Sequence, residues 1–296
     1  IRRRGTEYMN KTTQLKKLLL QRKALPCPGV YDALSARMVE YCGFQACQIS
    51  GFGVSASSLG MTDASFTSLE EIVRITSNIV RAVDIPVMTD ADTGYGNAVN
   101  VWWTTKRLEE TGAAGMNLED QCFPKRCGHM AGKQLISLGE MVGKIRAAVD
   151  AKRDPDFVIN ARTDAAFVCG IEEAIRRGNA YLEAGADMVF VESPASAEEV
   201  KRAIEQIKGP VSINMLEGGR TPMLTFEELR QLGAARVSCP MFTSLIAAYA
   251  LQKGLSYLME HGTSSGFEEH MSFEAFKVFT DTPSVRAMEE RYIPKD

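Results

Sequence analysis

The chain has 296 residues, 45% of them hydrophobic, with 24 glycines and a formal net charge of -3. That length and apolar content suffice for one large core, and no low-complexity linker divides it. The small net charge, without any basic block, argues against nucleic acid as a partner, and no apolar run approaches the length of a membrane span. Seven cysteines, odd in number and scattered, read as buried or reactive thiols of a reducing, cytosolic compartment rather than a disulfide framework.

In chain order, Ile1-Arg2-Arg3-Arg4-Gly5 precedes Met9-Asn10-Lys11, which has the look of a natural start, so residues 1–8 are read as a remnant or an extension. Short apolar, β-branched runs follow at 29–31, 46–49, 86–89, 115–118, 157–160, 188–191, 211–214 and 236–239. Runs without polar alternation suit parallel strands buried on both faces. Between them, 68–83, 98–111, 138–151, 171–184 and 197–207 carry apolar residues at three-to-four spacing with charged outer faces, the pattern of crossover helices. Gly112, Gly185 and Gly233 each sit between such a helix and the next strand, where a left-handed cap is needed. About eight strand-helix units make a (β/α)8 barrel. The expected division is an N-terminal extension and helix over 1–24, the barrel over 25–245 and a helical C-terminal segment over 246–296. Cys42, Cys47, Cys169 and Cys239 are expected in the core. In the C-terminal segment, helices are predicted at 243–260, 272–280 and 284–291; their Leu245, Leu255, Leu258, Phe273 and Phe276 exceed what one barrel helix buries, and predict a partner.

The chemistry lies at the ends of the predicted strands. Asp90 and Asp92, two apart at a strand terminus, point the same way and can converge on one hard cation; Glu119 ends the next apolar run and adds a third oxygen. Carboxylates without His or Cys at zinc spacing favour Mg2+, with Mn2+ the alternative. Lys125-Arg126-Cys127-Gly128-His129 places a thiol among two fixed cations and an imidazole around one glycine. Such a thiol can have its pKa lowered and can exchange a proton during chemistry. Ser50-Gly51, Arg162 to Asp164, Glu192 and Asn214 also fall at strand C-termini, the face on which barrel active sites are built.

Ser50-Gly51 with Ser57-Ser58-Leu59-Gly60, Asp90-Ala91-Asp92-Thr93-Gly94-Tyr95-Gly96, Leu118-Glu119-Asp120-Gln121, the Lys125 to His129 run, Asn160-Ala161-Arg162-Thr163-Asp164 and Asn214-Met215-Leu216-Glu217-Gly218-Gly219 together resemble the isocitrate lyase/phosphoenolpyruvate mutase superfamily. The resemblance spans roughly residues 25 to 280. The Lys-Arg-Cys-Gly-His loop is similar to that of its carbon–carbon lyases, the 2-methylisocitrate lyase, 2,3-dimethylmalate lyase and petal death protein group. It implies Mg2+ on Asp90 and Asp92, with Glu119 and Asp63 holding the metal's waters, and Ser50, Gly51 and Phe52 as a carboxylate-binding turn. It implies Arg162 as the clamp on a 2-oxo or 2-hydroxy acid, and Cys127 as general acid on a mobile gate tuned by Lys125 and His129. Gly128, Glu192, Asn214, Glu217 and Tyr31 complete the implied site. Gln48 and Asn117 stand where 2-methylisocitrate lyases typically carry Tyr and His, and the Glu217-Gly218-Gly219 turn is closer to the dimethylmalate branch.

The expected activity is Mg2+-dependent cleavage of a 2-alkylmalate-type acid to pyruvate, or a related 2-oxo acid, and a short carboxylic acid. The alternatives are 2-methylisocitrate cleavage, hydrolysis or decarboxylation of oxaloacetate, phosphonate mutase or hydrolase chemistry, and a catalytically silent barrel that binds dicarboxylates. The expected partners are a small carboxylate substrate and further copies of the chain, a homotetramer of dimers that exchange a C-terminal helix, as the resemblance implies.

Overall fold

The computed structural model describes residues 9–125 and 132–294. Eight strands, β1 (Leu25–Val30), β2 (Cys47–Ile49), β3 (Val87–Asp90), β4 (Gly115–Glu119), β5 (Val158–Thr163), β6 (Met188–Val191), β7 (Val211–Asn214) and β8 (Arg236–Cys239), close in chain order into a parallel barrel. Each pairs with its sequence neighbour, and β1 with β8 through Leu25↔Arg236 and Pro28↔Cys239. The expected (β/α)8 barrel is the observed fold. Two strands are longer than their apolar runs by several residues, β1 beginning at Leu25 and β5 continuing through Arg162 to Thr163, and β4 by one, Glu119. There the register Glu119↔Arg162 and Arg162↔Phe190 carries polar side chains into the mouth of the barrel.

The crossover helices form for local reasons. Ser68 and Glu71 close a reciprocal capping box on Leu69–Ala82, and Thr225 and Glu228 do the same on Phe226–Leu232. Helix Leu69–Ala82 turns Ile72, Ile75, Ile79 and Val80 inward at helical spacing against the barrel's outer face. Helix Lys11–Leu20 lays Leu15 and Leu19 against Leu25, Met88, Val158 and Met188, closing the N-terminal end of the barrel. With that end closed by Leu15 and Leu19, the opposite mouth is left to hold a pocket.

The chain divides into a compact unit over Met9–Leu245 and a C-terminal unit beginning at Ile246. The long helix Phe242–His261 has no buried residue, and Leu251, Leu255, Phe273 and Met288 are exposed. All six described cysteines are free. Cys47 is buried, whereas Cys42 and Cys169 are exposed and Cys239 half-buried, which corrects the expectation of four core thiols. Cys42 and Cys169 follow the last turns of helices Ala33–Tyr41 and Ala165–Val168, where the chain turns to solvent. Among the described residues no helix is long and apolar enough to cross a membrane.

Candidate active site

The pocket at the C-terminal mouth of the barrel is assembled strand by strand. Gln48, Ile49 and Ser50 come from the end of β2, Asp90 from β3, Asn117 from β4, Arg162 from β5, Phe190 and Glu192 from β6, and Asn214 from β7. Asp63, Lys125 and Met241 complete it from connecting segments. A parallel barrel brings residues widely separated in sequence to one rim because every strand ends on the same face.

On the β2 side, the Ser50-Gly51-Phe52 turn is the first turn of a helix, Gly51–Leu59, which the apolar and small residues there did not reveal. Ser50 caps it, its Oγ accepting from Gly53 N–H at 3.1 Å. A helix start that points its first amides into a pocket favours a carboxylate. Gly51 is required by space: a Cβ there would lie 2.6 Å from Asp90 Oδ2. The helix thereby approaches the acid cluster closely enough for one ligand to touch both.

That cluster is organised by a lysine. Lys125 Nζ lies 2.6 Å from Asp63 Oδ2 and 2.9 Å from Asp92 Oδ1, and its side chain is almost fully buried. Burial alone would lower the Lys125 pKa, but Asp92, Glu119, Asp63 and Asp90 together hold it well above the ordinary value. Asp92 is pushed up to about 6, first by burial and then by Asp90 and Asp63, against the opposing pull of Lys125. Asp92 also adopts a positive φ of 47°, fixed by its amide donating to Asp90 Oδ1 at 3.2 Å. Glu119 is buried with Oε1 unpartnered, and burial raises its pKa well above normal. Among the described residues no three His, Cys, Asp or Glu side chains already form a metal cage. The donor set is nonetheless that of a hard cation: buried carboxylate oxygens, one of them orphaned, around a point that now attracts an ammonium group.

Arg162 is the second cationic centre. Its Nε and Nη2 donate to Asp164 at 3.0 and 3.2 Å, its Nη1 lies 3.2 Å from Glu119 Oε2, and its Nη2 lies 3.5 Å from Glu192 Oε2. Three carboxylates therefore fix the plane of the guanidinium, and Phe190 lies beside it with its ring centre 5.4 Å from the guanidinium carbon. Glu192 is also held by Ser193 Oγ at 3.0 Å, while Asn214 Oδ1 accepts from Ser238 Oγ at 2.8 Å.

Ser50, Gly51, Phe52, Asp63, Asp90, Lys125, Arg162, Glu192 and Asn214 all line one pocket, and Asp92 and Glu119 touch two of them. Glu217 is exposed and lies outside the lining, which takes Leu216 from that turn, so its expected contact with substrate stands as a proposal. Tyr31 also stands outside the lining, packed beside Gly53, with its phenol pKa raised by burial. Cys127, Gly128 and His129 lie outside the described residues, as does Arg126.

The sequence reading missed three groups. Asp120 accepts from Thr163 Oγ1 and Tyr181 OH, both at 2.7 Å, and from Arg177 Nη1 at 3.0 Å, which anchors the β4 end behind the pocket. Lys133 Nζ meets Asp164 Oδ1 at 2.6 Å with both side chains fully buried. Arg236 is fully buried inside the barrel. The available signal was parity: Asn117 and Arg236 interrupt apolar strand runs at positions that face the barrel interior.

The model of the family described as phosphoenolpyruvate phosphomutase matches residues 15–259. The chain is 43% identical to 2,3-dimethylmalate lyase of Eubacterium barkeri over 96% of its own length and 99% of that protein. It is also 43% identical to 2-methylisocitrate lyase of Aeropyrum pernix, covering 84% and 80% of the two chains. Among solved structures, oxaloacetate acetylhydrolase in complex with 3,3-difluorooxalacetate superposes with a TM-score of 0.91 at 33% identity, covering 98% of this chain and 99% of that one. Phosphonopyruvate hydrolase in complex with oxalate and Mg2+ gives a TM-score of 0.88 at 29% identity, covering 97% and 100%. Barrel, pocket and likeness agree: the chain belongs to the phosphoenolpyruvate phosphomutase family and is a carbon–carbon lyase of the isocitrate lyase/phosphoenolpyruvate mutase superfamily.

Proposed function

We propose that the enzyme cleaves the C2–C3 bond of a 2-hydroxy dicarboxylate of the 2-alkylmalate type, 2,3-dimethylmalate being the model substrate, to a 2-oxo acid and a short carboxylic acid. The observation that carries this reading is the pairing, in one pocket, of a helix start and a fixed guanidinium with a buried acid cluster. Asp90, Asp92, Glu119 and Asp63 would hold Mg2+, which supplies Lewis-acid stabilisation of the charge that develops on the substrate oxygen. The likeness to a hydrolase described with oxalate and Mg2+ supports that assignment.

The amides at the start of helix Gly51–Leu59 bind the C1 carboxylate, and Arg162, unable to rotate within its three carboxylates, orients the C2 oxygen. Transfer of the hydroxyl proton to a base, Tyr31, Tyr95 or a water in the pocket, lets the C2 oxygen form a carbonyl as the C2–C3 electron pair moves to C3. The departing half leaves as an enolised carboxylate and must gain a proton at C3. Cys127, beside Lys125, Arg126 and His129 in sequence, donates that proton. Phe52, Phe190, Leu216, Pro240 and Met241 give the pocket an apolar wall that suits alkyl substituents and keeps water from competing for the carbanion.

The apolar wall favours an alkylmalate over a tricarboxylate. Lys125 and Arg162, the cationic side chains of the lining, are already paired with carboxylates, so a third substrate carboxylate would bring uncompensated charge. Hydrolysis of oxaloacetate is the second reading, favoured by the 0.91 superposition on oxaloacetate acetylhydrolase. Release of 2-oxo acid from a panel of substituted malates and 2-methylisocitrate, and of oxalate and acetate from oxaloacetate, with Mg2+ and after exhaustive chelation, tests both. Fastest turnover of an alkylmalate supports the proposal; preference for oxaloacetate transfers the assignment to the hydrolase, and turnover unaffected by chelation ends the metal role.

The C-terminal helices expose too much apolar surface for an isolated chain. We infer that a second copy covers it by exchange of a C-terminal helix, and that two such dimers pair into a tetramer.

A further inference from the structure

Inside the barrel, beneath the pocket, Arg236 is fully buried without a carboxylate at ion-pair distance among the described residues. Its Nε donates to Ser212 Oγ at 2.9 Å, its Nη1 to Met88 Sδ at 2.8 Å and its Nη2 to Asn117 Oδ1 at 3.4 Å. A buried guanidinium held only by neutral acceptors is expensive, and replacing such a group by an apolar side chain of similar volume is often neutral or stabilising. Its presence therefore points to a task other than holding the fold.

That task is legible in its contact with Asn117. Arginine has only donors, so the atom of Asn117 turned towards it must be the amide oxygen. The same oxygen accepts from Asn160 Nδ2 at 2.7 Å. With Oδ1 committed downward to two donors, the Asn117 amide NH2 is the end left for the pocket, which Asn117 lines. It has no hydrogen-bond partner among the described residues. Asn117 pairs in register with Asp90, so this donor lies on the acid-cluster side of the pocket, where the 2-oxo acid half of the substrate is held. Arg236 and Arg162 also share one aromatic neighbour, their guanidinium carbons lying 5.6 and 5.4 Å from the centre of the Phe190 ring.

We propose that Asn117 is a specificity-determining donor to an oxygen of the 2-oxo acid half, and that Arg236 is the positioning residue that keeps its amide turned that way. The pocket floor would thereby select an acid with an acceptor oxygen at that point over one presenting an ammonium or an alkyl group. This rests on the proposed function, since it takes the pocket to be the acid-binding site.

Oxalate, which carries two adjacent carboxylates, is the probe, titrated calorimetrically into the Mg2+-loaded full-length protein, with alkylmalate turnover measured in parallel. Asn117→Asp should weaken oxalate binding by about tenfold to a hundredfold, because a carboxylate would turn an acceptor where a donor is needed. Arg236→Met should retain the wild-type melting temperature yet bind oxalate several-fold more weakly and raise KM more than it lowers kcat; Arg236→Lys should recover part of the loss. In Arg236→Met, adding Asn117→Ala should have less effect than in the wild type, because the amide is already loose. Unchanged oxalate affinity in Asn117→Asp overturns the proposal, with no need for any Arg236 variant to fold. Additive losses in the double variant overturn the positioning role of Arg236. Failure of the wild-type protein to bind oxalate overturns both this inference and the proposed function, whereas wild-type binding with unaffected variants overturns this inference alone.

Discussion

Removing the carboxylate of Asp164 is the sharpest test of how the site is held. Asp164 is fully buried and serves two cations at once, Lys133 at 2.6 Å and Arg162 at 3.0 and 3.2 Å. In Asp164→Ala, Arg162 keeps Glu119 and Glu192, but Lys133 loses a fully buried ion-pair partner. Breaking a buried pair by deleting one partner costs about 3–5 kcal/mol. For a unit of this size that corresponds to a fall in Tm of about 6–20 °C. Differential scanning calorimetry of wild type, Asp164→Ala and Asp164→Ala with Lys133→Met measures it. The double variant should recover part of the loss, because the buried ammonium that Asp164 neutralised is gone. A Tm within about 2 °C of wild type for Asp164→Ala, or a double variant less stable than the single one, would refute the argument that this carboxylate balances two buried cations.

Asp90→Ala should leave the melting curve close to wild type while abolishing Mg2+-stimulated turnover and weakening Mn2+ binding by at least about tenfold, read by electron paramagnetic resonance; unchanged Mn2+ affinity would remove Asp90 from the metal site. Because Asp92 is held at about 6 against an ordinary 3.8, its contribution to metal-free stability is fully present below pH 3.8 and lost as pH rises through 6. Metal binding needs the ionised form, so Mn2+ affinity should climb through the same interval, and a flat titration would contradict it. Cys127→Ser should bind oxalate normally yet lose about two to four orders of magnitude in turnover, since a hydroxyl is a much weaker acid than a thiol at neutral pH; retained turnover would deny the thiol its role as acid. Sedimentation of the intact chain should give a tetramer, and removal of the chain beyond Ser265 a smaller species; an intact monomer, or an oligomer unaffected by the truncation, would sink the helix-exchange proposal.

The barrel was legible in the sequence because its determinants are local. Unalternated apolar runs mark strands buried on both faces, amphipathic segments mark the crossover helices, and glycines mark the turns between them. Because parallel strands all end on one face, reading strand ends also located Asp90, Glu119, Arg162, Glu192 and Asn214 without a structure. Local pattern could not say what each of these groups touches. Arg162 reads as a substrate clamp in sequence, with Glu192 at most a partner, and only the register of β4, β5 and β6 reveals that three carboxylates already hold it. Glu217 sits in a motif beside pocket residues, yet it is exposed and Leu216 is the residue of that turn in the lining. Lys133 and Asp164 are 31 residues apart, and Arg236 and Asn117 are 119 apart. Their pairing exists only once the barrel has closed, when β8 lies beside β1 and side chains from distant strands share one interior. Sequence thus determined which residues reach the barrel mouth, through the two-residue period of strands and the common direction of parallel ones. Tertiary structure alone decided which charges neutralise one another there and which, like Arg236, are left to act on a neighbour, because desolvation and pairing depend on distances that closure sets.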